Sequence, residues 1–155
     1  MAHLTIASPL GPLTLFADAG ALVAIEWGRG PAGPASPLLH EAQGQIAAYF
    51  AGRLRVFDLA LKPQGTPFQN RVWNAMGQIP YGKTLSYGTL ARSLDTGSRA
   101  VASACARNRL PILIPCHRVV GQGPRGRIRL GGYSGGEGPA TKRFLLGLEG
   151  VTVVN

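Results

Sequence analysis

Charged residues make up only 15% of this chain, while 45% are hydrophobic. That balance excludes a disordered, highly charged tail and calls for a folded core. Long apolar runs are missing too. None approaches the ~20 residues needed to cross a bilayer, so no membrane partner is expected. Met1 to Gly11 lacks a basic stretch leading an apolar one. It does not read as a signal peptide, and a cytoplasmic location is expected. Cysteine is limited to Cys105 and Cys116, and histidine to His3, His40 and His117. Without a Cys-x-x-Cys pair there is no spacing for a structural zinc, and a disulfide is not expected in a reducing cytoplasm. The expectation is therefore no metal and no cofactor. A length of 155 residues suits one domain, or one functional domain with a small companion.

Acids are scarce in one half only. Residues 1–61 carry Arg29, Arg53 and Arg55 against Asp18, Glu26, Glu41 and Asp58. Residues 62–155 carry thirteen basic residues, ten of them Arg, against three acids. A basic half beside a near-neutral one is an electrostatic footprint for a polyanion, and the excess of Arg over Lys favours phosphate. A basic surface that is merely solvated has the same composition.

Leu4–Ile6, Leu13–Phe16 and Leu22–Trp27 are short β-prone runs separated by turn residues. They predict a small antiparallel meander. Gly28 to Pro37 predicts a loop, and Leu38 to Phe50 a helix with Leu39, Ile46, Tyr49 and Phe50 near one face. Residues 1–61 thus read as a small N-terminal α+β domain. Lys62-Pro63-Gln64-Gly65 reads as a linker, and 62–155 as a second, mostly helical domain. In it, Thr66 is a plausible N-cap with Pro67 at the first helical position. Ser86 to Leu94 and Arg99 to Arg107 predict two short helices, with Ser98 as N-cap of the second. Joined across Asp95-Thr96-Gly97, they form a candidate helix-turn-helix. Gly121 to Gly132 predicts a hairpin carrying Arg125, Arg127 and Arg129, and Pro139 to Leu148 a final helix.

Two patterns match familiar spellings without their context. Gly77-Gln78-Ile79-Pro80-Tyr81-Gly82-Lys83-Thr84 spells a phosphate-binding loop, but a helix, not a strand, is expected before it. Gly121-Gln122-Gly123-Pro124-Arg125-Gly126 spells a dinucleotide fingerprint, but no helix is expected after it. The sharper feature is Cys116-His117-Arg118, a polar triplet between apolar runs. A reactive cysteine needs a thiolate, and so a nearby base or positive potential. His117 is the natural base, acting through a turn or a bridging water. A third group should orient its imidazole. Among Asp95, Glu137 and Glu149, elimination favours Glu149. An inert buried thiol beside a satisfied histidine fits the same letters, and spacing alone leaves both open.

At Pro115-Cys116-His117-Arg118-Val119-Val120 the sequence resembles the O6-alkylguanine-DNA alkyltransferases, or methylated-DNA–protein-cysteine methyltransferases. The resemblance covers residues 66–150. It includes Pro67-Phe68-Gln69, Val72-Trp73, Ile79-Pro80-Tyr81-Gly82, Ser86-Tyr87, Ser98-Arg99-Ala100-Val101-Ala102, Asn108, Leu110 to Ile114, Gly132-Tyr133-Ser134-Gly135-Gly136, Lys142 and Glu149. Residues 1–61 fit the family's small N-terminal domain. The resemblance implies DNA repair by direct reversal. An alkyl group passes once from O6 of guanine, with O4 of thymine a further possible donor, onto Cys116, and the protein is spent. It implies His117 as base through a water, Glu149 holding His117, and Asn108 bracing the turn before the nucleophile. Tyr87 would meet an extruded guanine and help protonate it. Arg99 would fill the gap in the base stack, while Ala100 and its small neighbours let the helix approach a narrow groove. Tyr133, Ser134 and Lys142 would contact the base, backbone near Val119 would line the pocket, and Gln122 is a further binding candidate. The implied partner is double-stranded DNA with alkylated guanine, bound by a monomer. The alternative is a non-catalytic module that binds such lesions; relatives of that kind lack the cysteine. Other readings are a nucleotide hydrolase using Gly77–Thr84 and a thiol hydrolase using Cys116. The Gly121–Gly132 segment is longer and richer in Arg than the family's usual loop.

Overall fold

The computed structural model describes residues 1–31 and 33–153. The chain divides into two compact units, Met1–Gln64 and Gly65–Asn155. In the first, alternating apolar residues build β1 (Ala2–Ile6), β2 (Leu13–Asp18) and β3 (Ala21–Trp27). They pair antiparallel in the order β1-β2-β3, with Leu4 opposite Leu15 and Leu15 opposite Ile25. Helix α1 (Pro37–Phe50) packs on the sheet. Its spacing of three and four buries Leu39, Ala42, Ile46 and Tyr49 on one face. Ser36 caps it by accepting from the Leu39 amide. The segment after α1 returns to β3. Lys62 donates its amide to the Leu22 carbonyl at 2.8 Å, and Leu22 donates to Ala60 at 2.9 Å. This pairing ties Lys62 to the first unit, although composition alone starts a linker there.

The second unit begins with α2 (Pro67–Met76). Thr66 and Gln69 form a reciprocal capping box around its first turn. The buried Trp73 indole donates to the Ala104 carbonyl at 2.9 Å and locks α2 to α4 (Ser98–Ala106). Between them lie β4 (Leu85–Ser86) and α3 (Tyr87–Ser93). Helices α3 and α4 with their tight turn are the expected helix-turn-helix, and Asp95 in the turn has φ 55. One detail differs. Gly97, not Ser98, is the N-cap of α4, and Ser98 is already its first helical residue, with no side-chain cap bond made. A Ser side chain can cap only from the non-helical position before the first turn.

The sheet of this unit was only partly legible. β5 (Val119–Gln122) pairs antiparallel with β6 (Ile128–Arg129), the expected hairpin, and also parallel with β4. Two-residue strands carry no readable alternation. Helix α5 (Pro139–Leu148) closes the unit. Gly77 caps the C-terminus of α2, and strand β4 follows the Gly77–Thr84 segment instead of preceding it. The phosphate-loop spelling therefore lacks its strand–loop–helix frame. Among the described residues, no helix is long and apolar enough to cross a membrane, and no group of three His, Cys, Asp or Glu could hold a metal.

Candidate functional site

Helix α4 ends at Ala106, and the chain must then reverse into the buried stretch Leu110 to Val120. Asn108 makes this possible. Its Oδ1 accepts from the Leu110 amide at 3.0 Å, and its Nδ2 donates to the Ile114 carbonyl at 2.8 Å. The loop it spans holds Ile112 at φ 76, a left-handed geometry uncommon for a β-branched residue. Cys116 to Arg118 then form one turn of 3-10 helix. With about three residues per turn, successive side chains point in different directions. Cys116 faces a cavity, His117 meets Glu149, and Arg118 reaches Ile79 and Glu149.

The Glu149 carboxylate sits at the end of α5, buried. It accepts from His117 Nε2 at 2.7 Å, from Arg118 Nε at 2.8 Å and Arg118 Nη2 at 3.1 Å, and from the Gly82 amide at 3.1 Å. Arg118 Nη1 also donates to the Ile79 carbonyl at 2.7 Å. A carboxylate facing a guanidinium takes the Nε2 hydrogen of a neutral imidazole, which leaves Nδ1 as acceptor. His117 Nδ1 is buried and has no protein partner among the described residues. Burial holds the His117 pKa below the ordinary histidine value, against the pull of the Glu149 hydrogen bond and charge. The imidazole is thus a neutral base at neutral pH.

Cys116 lines a cavity of about 410 Å³, a size suited to a small organic ligand. Burial pushes its thiol pKa up, only partly countered by hydrogen bonding from Asn108 and by the Lys142 charge. The sulfur therefore rests as a thiol, not the standing thiolate that its pairing with a histidine suggests on paper. The cavity wall comes from three segments: Tyr87 on α3, Ala102 and Ala106 on α4, and Tyr133 and Ser134 beyond the hairpin. Ser134 ties its segment to α4 by donating to the Ala106 carbonyl at 3.0 Å. Behind Tyr87, the buried Lys142 ammonium donates to the Tyr87 hydroxyl at 3.1 Å, the Val119 carbonyl at 2.6 Å and the Gly132 carbonyl at 3.0 Å. Desolvation lowers the Lys142 pKa to about 8. Gly131 makes the fit possible: it has φ 71, and a Cβ there would stand 3.0 Å from the Tyr87 ring.

Cys116, His117, Glu149, Asn108, Tyr87, Tyr133, Ser134 and Lys142 thus converge on one region. Val119 contributes its carbonyl to Lys142 but is not part of the cavity wall. Arg99 and Ala100 lie outside the cavity on α4. Arg99 shares a helix face with Ala102 and Ala106, at spacings of three and four. Gln122 is exposed and sits apart, in a cleft beside the hairpin. Three contributors have no role assigned from sequence. Arg118 braces Glu149, and its signal is a charge in the polar triplet between apolar runs. Gly82 lends an amide. Cys105 lines the cavity with its sulfur 3.4 Å from the Met76 sulfur, and burial raises its pKa to about 12.

A cysteine facing a cavity, with a carboxylate-held histidine behind it, marks a class: proteins that take up or transfer a group through a thiol. Comparison narrows the class. Residues 67–151 match the family model of the 6-O-methylguanine DNA methyltransferase DNA binding domain, and residues 1–63 that of the same proteins' ribonuclease-like domain. A methylated-DNA–protein-cysteine methyltransferase of Methanosarcina acetivorans is 41% identical over 153 residues, covering 92% of this chain and 94% of the relative. One of Mycobacterium tuberculosis is 42% identical over 154 residues, covering 94% and 90%. The crystal structure of Mycobacterium tuberculosis OGT in complex with DNA superposes with a TM-score of 0.82 at 42% identity, covering 96% of this chain and 92% of that one. This chain belongs to the 6-O-methylguanine DNA methyltransferase family.

Proposed function

We propose that this protein repairs DNA by moving an alkyl group from O6 of guanine onto the sulfur of Cys116. The carrying observation is the placement of Cys116 on the cavity, with His117 and Glu149 buried behind it. An alkyl group on O6 lies inside the duplex, so the nucleotide must turn out into the cavity, at a cost of a few kcal/mol. The wall of small side chains on α4 leaves room for it. Arg99, on the same helix face, fills the space that the base leaves, and Ala100 keeps that face slim enough for a narrow groove.

In the transfer, the Cys116 thiol proton passes to His117 Nδ1 through one bridging water. The sulfur attacks the alkyl carbon, the carbon–O6 bond breaks, and its electron pair leaves with the guanine. Lys142, through the Tyr87 hydroxyl, supplies the proton that neutralises the leaving base. Tyr133 and Ser134 close over it. Glu149 holds His117 in the accepting tautomer and offsets the positive charge it gains. The resting thiol stays neutral, which spares it from side reactions until substrate arrives. The product is a thioether, so each molecule acts once. Any alkylated base of similar shape, O4-alkylthymine included, is a further substrate to test. The protein works as a cytoplasmic monomer on double-stranded DNA, with both cysteines free.

The test is intact-protein mass after incubation with duplex DNA carrying O6-methylguanine. One methylene unit should be gained per molecule and no more. Cys116→Ala should gain nothing yet still bind the duplex. An unchanged mass for the parent protein under excess damaged DNA defeats the reading.

A further inference from the structure

A second recess lies away from Cys116, between β4, the start of α3 and the β5–β6 hairpin. It encloses about 190 Å³. Its polar lining consists of Thr84, Ser86, Thr89, Gln122 and Arg127, with no acid among the residues that form it. Thr89 is also the acceptor for Arg92, whose Nη2 lies 3.2 Å from the Thr89 hydroxyl, so a second guanidinium stands at the edge. The hairpin directs its charges outward for a plain reason. Ile128 packs into the cluster of Val120, Leu130 and Leu146, and strand alternation turns its neighbours Arg127 and Arg129 to the other face. The side chains of Arg125, Arg127 and Arg129 are exposed and make no hydrogen bond or ion pair among the described residues. Arg125 holds φ 59 at the hairpin tip, a geometry that glycine would adopt at less cost.

We propose that this recess is a phosphodiester subsite, with Arg127 as its charged member, and that it grips the DNA backbone outside the cavity. The Thr84 and Thr89 hydroxyls, the Gln122 carboxamide and the Arg127 guanidinium are donors to anionic oxygens, the Ser86 hydroxyl being spent on Thr89 at 2.9 Å, and the recess is small enough for one phosphate group. Its position supports a strand of DNA as the source. It borders α3, which packs on α4, the helix proposed to enter the groove. Arg125 and Arg129 continue the positive strip along the hairpin. The subsite rests on the proposed action on DNA and adds a second point of attachment that fixes the angle of the duplex on α4.

The experiment is a salt titration of binding to a lesion-bearing fluorescent duplex, read by anisotropy, for the parent, Arg127→Ala, Arg127→Lys and Arg127→Glu. Each phosphate contact contributes about 0.9 to the slope of log affinity against log salt. Arg127→Ala should lower the slope by about 0.9, so that between 50 and 200 mM salt it loses affinity about 3.5-fold less than the parent. Arg127→Lys keeps a point charge and should keep the slope, and Arg127→Glu should lower it at least as far as Ala. Equal slopes in all four proteins overturn the subsite. The Arg127 side chain is exposed, so these substitutions leave the core untouched, and the Lys–Glu comparison decides the matter whatever the Ala variant does. Mass gain on the parent protein is scored separately: its absence would sink the alkyl-transfer reading and leave the slope comparison standing.

Discussion

Two buried cations, Lys142 and Arg118, do different work at the residue scale. Arg118 is paired, and its charge is spent on Glu149. Lys142 donates to a hydroxyl and two carbonyls and to no carboxylate, and burial lowers its pKa to about 8 from an ordinary 10.5. If its proton is the one delivered toward the leaving base, transfer should slow as pH rises through about 8. On the acid side, His117 must be neutral, and burial, by lowering its pKa, places any acid limb below the ordinary histidine range. Single-turnover rates against pH should therefore show an alkaline limb that Lys142→Met abolishes along with most of the rate. Stability moves the opposite way. Between about 8 and 10.5 the unfolded lysine holds more proton than the folded one, so this group's contribution to stability rises with pH there. An alkaline limb that persists in Lys142→Met would remove the proton-delivery role. Glu149→Gln tests the other cluster. It leaves a buried guanidinium unpaired, and should cost about 3–5 kcal/mol in denaturant unfolding as well as slowing transfer. A loss confined to rate, with stability intact, would mean that Arg118 finds another partner.

At the scale of elements, the site is a junction held by caps and turns, not by one rigid helix. Asn108 does for the 108–114 loop what a ladder does for a strand: it satisfies one donor and one acceptor in a stretch that is otherwise buried. Asn108→Ala should cost about 1–3 kcal/mol through the groups left without partners. It should also slow transfer more than Thr66→Ala, a cap change of about 1 kcal/mol on α2 that lies away from the cavity. Equal rates for the two variants at matched stability would show that the loop does not aim Cys116. Elements also explain what was legible. The meander of β1 to β3 and the face of α1 were readable because period-two and 3.6-residue patterns persist over five or more residues there. Strand β4 and its parallel pairing to β5 were not, since two residues hold no pattern and the partner lies over thirty positions away. The cap of α4 was misplaced by one residue because Gly97 and Ser98 are both acceptable caps, and only backbone angles choose between them.

On the scale of the whole molecule, charge and shape divide between the units. The basic excess resides in residues 62–155, which also hold the cavity, the helix-turn-helix and the arginine hairpin. Binding and chemistry should therefore be separable on this one unit. Arg99→Ala removes the side chain proposed to occupy the gap in the stack, and an open gap matters only where a stack exists. Transfer from duplex DNA should slow by roughly tenfold, in line with about 1–3 kcal/mol for stacking on a side chain, while transfer from single strands changes little. Equal slowing on both substrates would contradict the wedge.

The order of letters determined the alternating strands, the capped helices, the charge asymmetry and the Cys-His-Arg triplet, because each is written within a few residues of itself. Elimination among three acids also reached Glu149. Folding decided the rest. It brought Glu149 onto His117 across 32 positions and set Arg118 against the same carboxylate. It buried Cys116 deeply enough to keep its proton, laid Lys142 behind Tyr87, and placed Gln122, a binding candidate from sequence, in the cleft beside the hairpin and not on the cavity. These are matters of distance and desolvation, and both depend on which distant segments pack together.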